Sequence, residues 1–159
     1  LRRNKDMDNT LKVLKLIFGA LEIEFPTKTL ENHSLMQKSL YLVQRMGVDL
    51  GYRFKWYESG PFSPVFEDDH LQFIGNKEKT LELLHPQVKD KLDLVKKLLK
   101  PCGELSKREW AQLVASLDYL VKVDGYNFKA AKEIIVKQMP TIAIEAEKAW
   151  GEIKKAGLA

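Results

Sequence analysis

Apolar residues recur along most of this chain at three- and four-residue spacing, the period of helices that bury one face. Leu11, Leu14, Phe18 and Leu21 form the first stripe, widened by Val13, Leu16, Ile17 and Ala20. The pattern predicts a helix from about Asn9 to Glu22, capped by Asp8 or Asn9 and buried around most of its circumference. Pro26 ends it, and Pro26–Asn32 reads as a polar connector.

The next helix, expected over Ser34–Val48, has two distinct faces. Leu35, Met36, Leu40, Leu42, Val43 and Met46 fall on one side at 100° per residue. Gln37, Lys38, Tyr41, Gln44 and Arg45 fill an arc of roughly 120° on the other. Arg53–Tyr57 then alternates, with Phe54 and Trp56 against Arg53, Lys55 and Tyr57, as a short strand does. Gly60-Pro61 punctuates that strand, with Gly60 expected at positive φ. Ser63-Pro64 supplies an N-cap and a first-turn proline for a helix to about Phe73.

Farther on, 77–84 is ambiguous between strand and helix turn, and Pro86 opens a helix to about Lys100 with Val88, Leu92, Val95, Leu98 and Leu99 inward. Pro101-Cys102-Gly103 stops it. Ser106-Lys107-Arg108-Glu109 is a capping box, the strongest local start signal in the chain. Behind it Trp110, Leu113, Val114, Leu117, Leu120 and Val121 share a face. Gly125 closes this helix, Phe128–Met139 forms another, and a last one follows Pro140 through Trp150 and Ile153.

The expected fold is therefore mostly α: a winged-helix-like helical domain with a small β wing. It forms one domain over 1–159, with a winged-helix-like part at 7–76 and a helical part at 86–156. Composition agrees, with 45% hydrophobic and 30% charged residues and apolar runs too short to span a bilayer. No signal peptide is visible, and the single Cys102 excludes an internal disulfide, so a reducing, cytoplasmic setting is expected. The chain opens at Leu1, so either an upstream segment is missing or Met7 is the natural start.

Three segments carry a family resemblance. Leu35-Met36-Gln37-Lys38 with Leu40-Tyr41-Leu42-Val43 is close to a Leu-Gln-Lys, apolar-Tyr-apolar pattern. Phe54, Tyr57, Gly60, Pro61, Phe62 and Ser63 match a Phe-x-x-Tyr-x-x-Gly-Pro-Tyr-Ser signature, and Leu113–Leu117 with Tyr119-Leu120 matches a leucine-alanine-serine helix. In these segments the chain resembles the YwgA-like uncharacterised prokaryotic family. It is more distantly similar to phage-associated Panacea antitoxin domains and to the C-terminal domain of macrodomain antitoxins. Met36 stands where leucine is usual, and Phe62 where tyrosine is. The resemblance implies a non-catalytic module that binds a protein partner, a toxin among the candidates, in a prokaryotic or phage setting. It carries over no hydrolase activity, because no macrodomain is present in the sequence.

The candidate chemistry is sparse. Glutamine, lysine and arginine on one helix face are the side chains that read base edges and phosphates. Gln37, Lys38, Tyr41, Gln44 and Arg45, with Arg53, Lys55 and Trp56 on the wing, are thus the candidate partner- or nucleic-acid-binding residues. The competing reading makes that arc a solvated face, or has Gln37 satisfying backbone groups of the nearby Gly-Pro turn. Tyr57, Gly60, Pro61 and Ser63 are assigned to the turn itself. The net charge of +4 permits DNA contact without demanding it, so a DNA-binding regulator is the alternative.

No catalytic residue, cofactor or metal is expected. Ser63 and Ser106 read as helix caps, Cys102 sits in a helix stop, and no phosphate-binding glycine pattern occurs. Glu67-Asp68-Asp69-His70 point in different directions on a helix and cannot converge on one ion without outside ligands, while His33 and His85 stand isolated.

Overall fold

The computed structural model describes residues 4–77 and 82–159. The tetrapeptide 78–81, inside the ambiguous 77–84 stretch, lies outside the described residues. Among those described, seven α-helices surround one two-stranded antiparallel hairpin, giving a mostly helical domain with a small β wing.

Helix α1 spans Asn4–Leu21, five residues earlier than its sequence start signal. Leu11, Leu14, Ile17, Phe18 and Leu21 are buried, whereas Val13 is exposed, so the stripe is narrower than expected. α2 covers Leu30–Arg45, because Thr29 accepts from the Asn32 N–H and caps the helix one turn before Ser34. β1 (Lys55–Tyr57) and β2 (Gly60–Phe62) follow, then α3 (Pro64–Phe73), capped by Ser63 as expected. α4 runs over Pro86–Leu98, and α5 over Lys107–Asp118 behind the complete Ser106/Glu109 capping box. A π-helical turn, Tyr119–Val123, extends α5. α6 (Phe128–Gln138), a short 3-10 turn (Ala143–Glu145) and α7 (Ala146–Lys155) complete the chain.

α5 is the central element, packed against α2, α6, α7 and β2. Centrality explains why it is buried beyond its apolar face: Trp110, Leu113, Val114, Leu117 and Leu120 are joined inside by Ser116 and Asp118. Trp110 is fully enclosed, and its indole N–H donates to the Leu98 carbonyl at 2.8 Å, as a buried indole requires. The core is continuous from Leu11 to Leu158, so the 7–76 and 86–156 stretches share it. Among the described residues no helix is long and apolar enough to cross a membrane.

Candidate functional site

The hairpin differs from its sequence reading in two respects: the strand begins at Lys55, with Arg53 and Phe54 leading into it, and the turn lies elsewhere. Lys55 pairs with Phe62, Trp56 with Pro61 and Tyr57 with Gly60, so Gly60-Pro61 lies in the second strand and the turn is Glu58-Ser59. Gly60 has φ 101°, the left-handed geometry that a glycine bulge after a tight turn uses. A Cβ there would run into Ser116 Oγ of α5, so the glycine also permits close packing. Pro61 stands between the two outer pairs, at a position where its missing N–H costs no ladder bond.

The polar arc of α2 faces this hairpin and α5, not water. Gln37 is fully buried; its amide donates to the Ser63 carbonyl (3.0 Å) and accepts from the Ser63 N–H (2.9 Å). Two turns along the same face, Gln44 donates to the Tyr52 carbonyl at 2.8 Å. Its oxygen accepts from the Tyr52 and Leu50 N–H groups at 3.0 and 3.2 Å. A primary amide carries the same donor and acceptor as a peptide unit, so the two glutamines act as surrogate strand partners. One grips the segment entering the hairpin, the other the segment leaving it.

Lys38 is 1% exposed and donates to Ser59 Oγ on the turn at 3.4 Å. Burial lowers its pKa from 10.5 to about 8. Tyr41 and Arg45 turn instead toward α5. The Tyr41 hydroxyl donates to Asp118 Oδ2 at 2.6 Å, and Arg45 forks onto both Asp118 oxygens at 2.7 and 3.2 Å. Arg45 also donates to the Leu158 carbonyl at 3.0 Å. Burial, then the Asp118 charge, pushes the Tyr41 hydroxyl far up, while the Asp118 hydrogen bond raises Arg45. The expectation of an exposed reading face at Gln37, Lys38, Tyr41, Gln44 and Arg45 is thereby corrected. Gln37 and Lys38 are enclosed, Tyr41 is buried, and Gln44 and Arg45, half-buried, are committed to internal partners.

On the hairpin the expected alternation holds. Arg53, Lys55 and Tyr57 are exposed, while Phe54 and Trp56 are half-buried. Trp56 is less free than a wing aromatic should be. Its ring lies 5.8 Å from that of Tyr119, and its N–H donates to Gln138 Oε1 at 3.1 Å. The Gln138 amide in turn donates to the Tyr57 and Glu58 carbonyls at 3.0 and 2.8 Å. Gln138 therefore fixes the hairpin turn through its backbone, while Gln44 and Gln37 fix the segments on either side of the hairpin. Beside its turn lies an open cleft of about 420 Å³, whose lining includes Glu58, Ser59, Arg108, Gln112 and Gln138.

A second cluster was not foreseen. His33 of α2 meets Glu67 and His70 of α3, separated by one helical turn. His33 Nδ1 stands 2.9 Å from Glu67 Oε1, and His70 Nδ1 stands 4.0 Å from the same oxygen. Thr27 bridges the two imidazoles through its backbone. Its N–H donates to His70 Nε2 at 2.9 Å, and its carbonyl, 3.2 Å away, can only accept from His33 Nε2–H. Burial, then the neighbouring His33, lowers the His70 pKa. The outside residue that the acidic run lacked in sequence is His33, 34 positions before Glu67 and brought beside it only by the fold.

Comparison with family models, curated proteins and solved structures gives no match.

Proposed function

We propose that this chain is a non-enzymatic partner-binding module, antitoxin-like or regulatory, that docks a protein through the outer side of its hairpin. One observation carries the reading: Gln138 holds the hairpin turn by its backbone, Gln44 and Gln37 hold the segments that lead into and out of the hairpin, and Arg53, Lys55 and Tyr57 remain exposed. A surface held in place before binding loses little conformational entropy on contact, and arginine and tyrosine are the side chains that concentrate binding energy. The adjoining cleft gives a partner side chain a place to enter, and the basic outer residues favour an acidic partner surface. The segments resembling antitoxin domains support the same class. The DNA-binding alternative is left with phosphate contacts such as those of Arg53 and Lys55, because Gln37, Lys38 and Tyr41 are buried and Gln44 and Arg45 are committed to internal partners.

Affinity capture with the full chain from its native host tests this. A stoichiometric protein should co-purify, and the double variant Lys55→Glu/Tyr57→Ala should lose it without a change in thermal midpoint. No partner under several conditions, or a partner kept by the double variant, overturns the proposal. Salt-sensitive retention of nucleic acid in place of a protein would move the assignment to the alternative.

A further inference from the structure

The His33–Glu67–His70 cluster sits outside the hairpin surface and is independent of the function proposed above. Its three candidate ligand atoms, one from each residue, lie within 4.8 Å of one another. Glu67 Oε2 and His70 Nδ1 are buried without any hydrogen-bond partner, and His70 is 0% exposed. Native proteins rarely leave such groups unsatisfied, and two orphans on side chains one helical turn apart point to something they are shaped to hold.

We propose that His33, Glu67 and His70 bind a divalent transition metal ion of the zinc class. Two imidazoles and one carboxylate form a donor set suited to zinc and its neighbours, whereas magnesium and calcium require a shell of oxygens. The spacing is near that of a bound ion: ligands about 2.1 Å from a tetrahedral ion stand roughly 3.4 Å from one another, the two histidine–Glu67 distances are 2.9 and 4.0 Å, and all three separations lie within 4.8 Å. His33 is already oriented as a ligand, with Nε2–H donated to the Thr27 carbonyl and Nδ1 turned inward. The His33 and Glu67 side chains keep 18% and 19% exposure, which leaves a solvent-facing route in and a fourth position for water.

The ion takes the place of protons. A nitrogen and a carboxylate oxygen 2.9 Å apart need a proton on the line between them, and a bound cation displaces it. His70 currently accepts the Thr27 N–H at Nε2, which places its own ring proton on Nδ1, facing the site. Ligation through Nδ1 shifts that proton to Nε2 and turns the Thr27 N–H away from the ring. Metal binding is thereby coupled to the connector between α1 and α2.

Calorimetric titration of the EDTA-treated full chain with Zn²⁺, in two buffers of different ionisation enthalpy, tests the site. Binding of one ion per chain with net proton release and a raised thermal midpoint is expected. His33→Ala and Glu67→Gln should each weaken it on the order of 100-fold, with Mg²⁺ inert. His85→Ala, altering an exposed histidine elsewhere, should leave the Zn²⁺ affinity and stoichiometry unchanged. Co²⁺ provides a readout that needs no variant: visible d–d absorption of four-coordinate strength, abolished by Zn²⁺. No saturable Zn²⁺ binding, or affinity unchanged in both His33→Ala and Glu67→Gln, overturns the proposal.

Discussion

Replacing Lys38 with methionine isolates the energetics of a charge enclosed beneath the hairpin turn. The side chain is 1% exposed and, among the described residues, has one hydrogen bond, to Ser59 Oγ at 3.4 Å, for the three donors of an ammonium group. Its pKa falls from 10.5 to about 8 through loss of hydration, which at about 1.4 kcal/mol per pH unit means that keeping Lys38 charged costs the folded state about 3 kcal/mol at pH 7. Methionine has similar length and volume and no charge, so Lys38→Met should stabilise the protein at pH 7 by up to that amount, less roughly 1 kcal/mol for the lost hydrogen bond. The sign with pH follows from linkage. Between about 8 and 10.5 the unfolded chain binds more protons at Lys38 than the folded chain, so wild-type stability rises relative to the variant as pH increases through that window. Urea denaturation of both proteins at pH 7 and pH 10 gives the four free energies needed, and their difference cancels every other titrating group. A gap that favours methionine at pH 7 and narrows by pH 10 is the expected result. A variant less stable than wild type at pH 7, or a gap independent of pH, would refute the argument.

Two further outcomes follow from the packing. Gly60→Val should destabilise by about 3 kcal/mol or more, combining a β-branched residue at φ 101° with collision against Ser116, and Ser116→Gly should restore part of the loss in denaturant melts. Leu117→Ala, at a fully buried position of the central helix, should cost about 2–5 kcal/mol in the same assay, and a loss below about 1 kcal/mol would contradict its burial.

The helix starts were legible where local chemistry decides them. Ser63-Pro64 and the Ser106/Glu109 box cap α3 and α5 as read, because a cap is completed within four residues of sequence. The alternation of Arg53–Tyr57 was legible for the same reason. What failed was inference from polarity to exposure. Gln37 and Gln44 look like surface residues because sequence records that an amide needs partners but not whether water or another segment's backbone supplies them. The alternative weighed for Gln37, satisfying backbone groups near the Gly-Pro turn, is realised at Ser63. The turn was misplaced by two residues because Glu58-Ser59 lacks the Asn-Gly or Asp-Gly signature, while Gly60-Pro61 carries the loudest punctuation nearby. The histidine cluster was invisible because His33 and Glu67 meet only once α2 and α3 have packed.

The glutamine clamps have a consequence for how this protein can change over time. Gln138 holds the hairpin turn by the peptide groups of Tyr57 and Glu58, Gln37 holds its exit by those of Ser63, and Gln44 holds its approach by those of Leu50 and Tyr52. Peptide groups are the same whatever residue they belong to, so the grip is blind to what the outer positions display. Arg53, Lys55 and Tyr57 can therefore be exchanged for acidic, apolar or small residues with the hairpin still anchored by the same bonds. The scaffold separates the part that must be kept from the part that can be rewritten: substitutions on this edge leave the three amides and their bonds in place.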